Sequence, residues 1–278
     1  MENISGNTYV LRGATNVGVY LNGEVLYLVD SGTSKKVLRE VLELFAGKKV
    51  ILLNTHHHAD HISLNAWLQA RTGCDIYAPI GEISMIANPI LEGYVLYSAE
   101  PPKSLRKEFF TAKPSIVKPL NNDLILKPIN LPGHTLDHTG YLTPDGVLLS
   151  GDLYFSAKIL DKYFYPYHAS IPRLRKSLER LESLNYEYVV PSHGEPTDDP
   201  SPDVNHMMER IEFMENEILK FLKDPHTVEE LTEKLERDLE LNLKGGFWYL
   251  FRSFVSALLQ DMEERGDVHG EGMVWMRR

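Results

Sequence analysis

Between Thr55 and His61 the chain reads Thr-His-His-His-Ala-Asp-His, and an apolar run, Val50-Ile51-Leu52-Leu53, leads into it. His56, His58 and Asp60 stand at i, i+2 and i+4 of this run. A strand that ends in extended backbone sends alternate side chains to one side, so two imidazoles and a carboxylate can converge there. Imidazole nitrogen and carboxylate oxygen are the donors that borderline ions such as Zn²⁺ accept. Packing this much histidine and aspartate together with no cation to balance it would be costly. The pattern implies a metalloprotein, with hydrolysis the first chemistry to consider.

Further donors follow other strand-like segments. Pro132-Gly133-His134-Thr135 comes after Leu124 to Leu131, Gly151-Asp152 after Val147 to Ser150, and Ser192-His193-Gly194 after Tyr188 to Pro191. Asp30 follows the strand-like Glu24 to Val29 in the same way. Short strands at Thr8 to Leu11 and Val17 to Leu21 precede it, and an Asn22-Gly23 turn predicts a hairpin. Ser34 is a helix N-cap for Val37 to Phe45, whose apolar residues recur at helical spacing. A helix is predicted over Ile62 to Arg71, a strand over Ile76 to Ala78 and another over Gly140 to Thr143. A helix over Leu174 to Leu184 comes before the strand-like Tyr188 to Pro191. The stretch from Ile86 to Pro119 holds Pro89, Pro101, Pro102 and Pro114 among Tyr94, Tyr97, Phe109 and Phe110. It reads as irregular, either a substrate lid or surface decoration.

A Pro/Asp-rich linker, Pro196 to Pro202, divides a catalytic unit over 1–198 from an appendage over 199–278. Helical periods at Met208 to Leu222, Val228 to Leu235 and Phe247 to Glu264 precede an extended Val268 to Met276 with a turn at Gly270-Glu271-Gly272. Three helices and a hairpin make this appendage winged-helix-like. Phe247, Trp248, Tyr249 and Phe251 are too dense for one core stripe, so some of these rings must pack on the catalytic unit or on another subunit. The net charge is −10, and 18 acidic against 10 basic residues lie after position 198. That balance disfavours a nucleic-acid partner, which calls for clustered Lys and Arg. A small-molecule substrate is expected, with a homo-oligomer possible in principle. A single cysteine, Cys74, excludes an internal disulfide, and no apolar run is long enough to span a membrane. With no signal-like start, these features predict a cytoplasmic location.

The ordered set Thr55-His-His-His-Ala-Asp-His61, Pro-Gly-His134-Thr, Gly-Asp152 and Ser-His193-Gly resembles the signature of the metallo-β-lactamase-fold superfamily over roughly residues 5 to 197. The resemblance implies an α/β fold, an αββα sandwich with two divalent metal ions at one edge. One ion would take His56, His58 and His134, and the other Asp60, His61 and His193, with Asp152 bridging them. Zinc is the leading ion, and iron and manganese accept the same donors. Two cations about 3.5–4 Å apart acidify a shared solvent molecule, so a bridging hydroxide is the expected nucleophile and Asp60 the residue that orients it or accepts its proton. An ester, thioester or lactone is the expected substrate. The alternatives are a phosphodiesterase cutting single-stranded RNA and a one-iron oxygenase of the persulfide type. His61 matches the glyoxalase II-like and nuclease-like branches. Many relatives follow the first motif with Gly-Gly, whereas this chain has Ile62-Ser63-Leu64-Asn65. No basic helical cluster suited to a glutathione carboxylate is evident in the tail.

The neighbouring residues carry weaker expectations. His57 should point away from His56 and His58, to pack or to support the ligands from behind. His138 and Asp137 either brace His134 or simply begin a strand. Asp30 should hydrogen-bond the loops beneath the metal site. Tyr154 and His168, the latter ending the aromatic run Tyr163 to Tyr167, either wall a substrate pocket or pack between loops. Cys74 reads as an inert small hydrophobe.

Overall fold

Alternating apolar residues decide how the layers stack. In β4 (Val25–Val29) and β5 (Lys49–Leu53), Leu26, Leu28, Val50 and Leu52 face one side of the sheet while Tyr27, Val29, Ile51 and Leu53 face the other. The first set packs under α1 (Lys35–Leu44) and α3 (Asn65–Thr72) through Leu38, Val41 and Leu68. The second set meets Tyr141, Val147, Leu149 and Val190 of a second sheet. Strands apolar on both faces are what a sheet covered on both sides requires.

The computed structural model describes residues 1–103, 105–106 and 112–278. Its first sheet runs in chain order through β1 (Glu2–Ser5), β2 (Thr8–Leu11), β3 (Val17–Asn22), β4, β5, β6 (Asp75–Ala78) and β7 (Lys118–Pro119). Pairing is antiparallel up to β4 and parallel beyond it. The second sheet places β8 (Lys127–Asn130), β9 (Thr139–Leu142), β10 (Val147–Gly151) and β11 (Tyr188–Pro191) side by side, with only its β10–β11 pair parallel. Outside it lie α6 (Ala157–Tyr163) and α7 (Ile171–Ser183), completing an αββα stack.

The C-terminal segment adds α8 (Ser201–Phe221), β12 (His226–Thr227), α9 (Val228–Asp238), α10 (Gly246–Arg265), β13 (Val268–Glu271) and β14 (Val274–Arg277). Its three strands lie in the order β12-β14-β13. Thr227 and Glu230 form a reciprocal capping box that starts α9. Ile211, Met214, Ile218, Phe254 and Leu258 share one apolar cluster with Leu148, Leu153, Leu174 and Val189. The segment therefore packs on α6 and α7, which cover the second sheet. Arg175 on α7 adds ion pairs to Glu215 at 3.4 Å and Asp261 at 3.3 Å. Among the described residues, no helix is long and apolar enough to cross a membrane.

Several sequence expectations shift. The helix predicted over Ile62 to Arg71 is two helices, α2 (Ala59–Ile62) and α3. Ser63 Oγ donates to the Gly32 carbonyl at 2.6 Å and the Leu64 amide donates to Ser31 Oγ at 3.1 Å, so the chain is drawn aside between them. The supposedly irregular stretch contains α5 (Ile90–Tyr97), and α4 (Ile83–Ala87) overlaps its start. Pro89 sits just before α5, where a missing N–H does no harm. Phe109 and Phe110 lie outside the described residues. The strand expected over Leu124 to Leu131 narrows to β8. The hairpin turn falls at Gly23-Glu24, because Asn22 still pairs with Val25. Finally, α8 begins at Ser201, seven residues before Met208, within the expected linker.

Candidate metal centre and cavity

Each donor loop leaves a strand or opens a helix at the same edge of the sandwich. His56, His57 and His58 follow β5, and His58 keeps an extended backbone (φ −61°, ψ 147°) as the residue that opens α2. Asp60 and His61 come from that helical turn, with the His61 amide donating to the His58 carbonyl at 3.0 Å. Extended alternation thus accounts for His56 and His58, while a turn of helix delivers Asp60. His134 follows β8, Asp152 directly follows β10, and His193 follows β11.

Glycine permits two of these approaches. Gly151 has φ +62°, and a Cβ there would lie 2.4 Å from His138 Nε2. The space is taken because the Asp152 amide donates to that nitrogen at 3.0 Å, while His138 Nδ1 faces the Leu131 carbonyl at 3.0 Å. His138 is therefore a strut under Asp152. Gly133 has φ +142°, and a Cβ would meet the Leu174 backbone at 2.7 Å.

The seven side chains form two groups that share Asp152. His58 Nδ1 lies 3.0 Å from His56 Nε2 and 2.8 Å from His134 Nε2. Asp60 Oδ2 lies 3.5 Å from His61 Nε2 and 3.2 Å from His193 Nε2. Asp152 reaches both groups, with Oδ2 3.4 Å from His134 Nε2 and 3.5 Å from His193 Nε2, and Oδ1 3.4 Å from His61 Nε2. Within the sets His56/His58/His134, His56/His61/Asp152 and Asp60/His61/His193, the donor atoms lie within 4.8 Å of one another.

The other ring nitrogens are pinned outward. His56 Nδ1 meets Thr55 Oγ1 at 2.9 Å, His134 Nδ1 the Tyr167 carbonyl at 2.9 Å, and His193 Nδ1 the Ala14 carbonyl at 2.7 Å. His61 Nδ1 meets Asp30 Oδ2 at 2.7 Å. Such partners settle the tautomer and turn Nε2 inward, as metal-ligating histidines require. Asp30 also accepts from the Thr55 amide (2.8 Å) and hydroxyl (2.7 Å), so it ties two strand ends together as well as aiming a ring. Asp30→Asn should weaken metal retention at the His61 group by about 10- to 100-fold. Metal content after dialysis against a graded chelator series measures this; a wild-type retention curve would reject the role.

The electrostatics separate the groups further. Burial, and then repulsion among the rings, drives His56 well below its ordinary pKa. Burial and the neighbouring His58 do the same to His134. Both rings are thus neutral and carry lone pairs. For His61 and His193 burial works the same way, but it is outweighed by Asp60 and Asp152. His61 rises well above its usual value and His193 to about 10. Asp152 is buried, yet His193 and His61 hold it well below the usual carboxylate range. His61 Nε2 and Asp152 Oδ1 are buried with no hydrogen-bond partner among the described residues. Neutral inward nitrogens on His56 and His134, ionised carboxylates that draw positive charge onto His61 and His193, and two such orphaned atoms fit divalent cations, which would take the place of those protons.

His57 turns away from the centre, into a carboxylate bracket. Its Nδ1 makes a short contact with Glu82, and its Nε2 lies 2.5 Å from Glu92 Oε2. Burial opposes protonation here, but the two carboxylates raise the ring to about 10. Glu82 also accepts from Thr135 Oγ1 at 2.8 Å and the Asp137 amide at 2.9 Å, joining the first donor loop to the second. Glu82 and Glu92 escaped the sequence reading, and so did Thr15, whose hydroxyl donates to Asp60 Oδ2 at 2.6 Å. No local pattern marks them, since their contacts span 25 to 45 positions.

A cavity of about 510 Å³ opens over the donors. His58, Asp60, His134, Asp152 and His193 line it, together with the apolar and aromatic side chains of Phe155, Ile159, Tyr163, Tyr165, Tyr167, Phe247 and Leu250. Tyr154 and His168 do not line it, which corrects the pocket-wall expectation. Both are fully buried. Tyr154 packs in the apolar cluster shared by the second sheet and its outer helices, and His168 lies beside His134, ring centroids 5.4 Å apart, with its nitrogens 3.1 and 3.2 Å from the Pro166 and Leu153 carbonyls. Burial lowers His168 to about 4, so it stays neutral. Cys74 is buried in the outer core, as expected.

The family described as the metallo-beta-lactamase superfamily matches residues 10–193, which include every donor. The chain belongs to this superfamily. The hydroxyacylglutathione hydrolase of Shewanella pealeana (strain ATCC 700345 / ANG-SQ1) is 31% identical over 153 residues, 54% of this chain and 48% of that protein. The chain spans about half the length of the curated relatives it matches. A metallo-beta-lactamase family protein from Thermus thermophilus superposes with a TM-score of 0.73 at 20% identity, covering 98% of this chain and 99% of the other. That likeness concerns the fold alone, and it extends into the C-terminal segment. TTHA1623, solved in a di-iron-bound form, gives a TM-score of 0.50 at 24% identity over 68% of this chain and 93% of that one.

Proposed function

We propose that this protein is a metal-dependent hydrolase that holds two divalent cations, zinc foremost, and cleaves an ester, thioester or lactone. The observation that carries the reading is the division of seven inward donors into two groups joined by Asp152. Cations held there would supply acidified water and positive charge for a developing oxyanion. The chain's own residues do the rest. Thr15 fixes Asp60, the most exposed donor carboxylate, at the cavity floor, where it can orient an attacking water or accept its proton. Asp30, Thr55, Ala14 and Tyr167 hold the rings in place, so little reorganisation is needed during turnover.

Carbonyl chemistry is preferred to cleavage of an RNA backbone because of charge. Among the described residues, Lys162 is the sole lysine or arginine lining the cavity. A phosphodiester chain would call for several such groups. The curated relatives' name, hydroxyacylglutathione hydrolase, supports a thioester, although one cation is few for a glutathione moiety. Zinc-loaded protein should contain two equivalents of zinc and hydrolyse an aryl ester far faster than a bis-aryl phosphate, with chelation abolishing both activities. The opposite preference would overturn the carbonyl reading, and a single tightly held iron would overturn the dinuclear zinc assignment.

A further inference from the structure

The cavity has a second wall that its metal-type donors do not explain. Tyr163, at the end of α6, and Phe247, in the first turn of α10, stack at 6.2 Å with 18° between their planes, and each remains 42% exposed. They are firmly backed. Tyr165 donates its hydroxyl to the Phe247 carbonyl at 3.1 Å, and its ring packs on Phe251 (4.9 Å) and Phe254 (6.0 Å) of the core. Ile159 and Leu250 continue the apolar surface from the same two helices. Lys162 Nζ lies 4.7 Å from the Tyr163 ring centroid, adding one cation to the same wall. Rigid aromatic rings half open to water, beside a cluster of catalytic-type donors, form a surface suited to an apolar ligand group.

We propose that the C-terminal helix α10 completes an apolar acyl subsite, and that the substrate is an ester or thioester of a medium-chain aliphatic or aryl acid. This rests on the hydrolase reading for the reaction but on the aromatic wall for the specificity. The subsite joins α6 to α10, so specificity depends on the C-terminal segment as well as on the donor loops.

The test uses full-length, zinc-loaded protein and 4-nitrophenyl esters from acetate to octanoate. kcat/KM should rise about threefold for each of the first few added methylenes, in line with the transfer of a CH₂ out of water. Phe247→Ala should reduce the octanoate-to-acetate ratio by about tenfold or more, and Phe247→Leu should restore part of it. Calorimetric binding of octanoate against acetate supplies a readout independent of turnover, because both carboxylates can meet the metals and the two differ only in the chain. Octanoate should bind at least about tenfold more tightly, and Phe247→Ala should erase the difference. A flat ester series, or equal binding of the two acids, overturns the subsite. If no ester is hydrolysed but octanoate still binds through Phe247, the reaction assignment fails and the subsite stands. If Phe247→Ala splits a dimer and leaves the chain-length ratio unchanged, the rings belong to an interface and the proposal falls.

Discussion

Asp152→Ala will lose bound metal and turnover together, with kcat/KM falling on the order of 10³-fold or more, beyond the 10- to 100-fold typical of a supporting residue. The reason is position. The Asp152 oxygens lie 3.4–3.5 Å from nitrogens of His134, His61 and His193, and no other donor carboxylate lies this near to both groups. On the proposed two-cation reading, its loss would remove one ligand from each group, and it removes a negative charge from a buried cluster. The remaining histidines would then bring cations together with less compensation. Metal analysis after dialysis and steady-state kinetics on an aryl ester measure the two effects. Full occupancy with unchanged turnover would sink the bridging role. Loss of turnover with full occupancy would recast Asp152 as acting on substrate rather than on metal.

Glu82→Ala is expected to destabilise the fold by about 3 kcal/mol at pH 6, as removal of one partner from a buried ion pair commonly does. For a chain of this length that corresponds to roughly 6–12 °C in unfolding temperature. Glu82 is fully buried and holds His57, Thr135 Oγ1 and the Asp137 amide. Alanine would leave the latter two without their acceptor. Glu92 still faces His57 at 2.5 Å, which limits the loss. The pH dependence gives the interaction its signature. His57 rises from 6.5 to about 10, so its contribution is complete below pH 6.5 and fades as pH climbs through 10. Glu82 falls from 4.5 to about 2, so its contribution is complete above pH 4.5 and is lost as pH drops through 2. The gap between wild type and variant should therefore be widest between about pH 4.5 and 6.5 and shrink toward pH 10. Calorimetry at pH 6 and pH 9.5 decides. A gap of equal size at both values would show that Glu82 acts through packing alone.

The sequence was legible where chemistry and position are local. His56, His58, Asp60 and His61 share one strand exit, and His134, Asp152 and His193 each follow a strand within a few residues, so seven donors could be named one motif at a time. Layering entered through the family resemblance, although the continuous apolar runs Val25 to Val29 and Val50 to Leu53 are what strands buried on both faces carry. The C-terminal helices announced themselves through apolar periodicity, although Pro200 and Pro202 obscured the start of α8. Proline also misled at α5, where it precedes the helix.

The amino-acid order alone thus determined which side chains could bind metal and which strands would carry them. Only the folded molecule decided who supports whom: that Glu82 and Glu92 enclose His57, that Thr15 holds Asp60, that His138 props Asp152, and that Phe247 stacks on Tyr163 in the cavity wall. It also decided that Tyr154 and His168 face the core, although their place beside the Asp152 loop suits a pocket equally well. The physical reason is range. A strand's alternation and a loop's ligand types are fixed by neighbours a few residues away, whereas burial and pairing depend on elements that meet only when both sheets and the outer helices have packed.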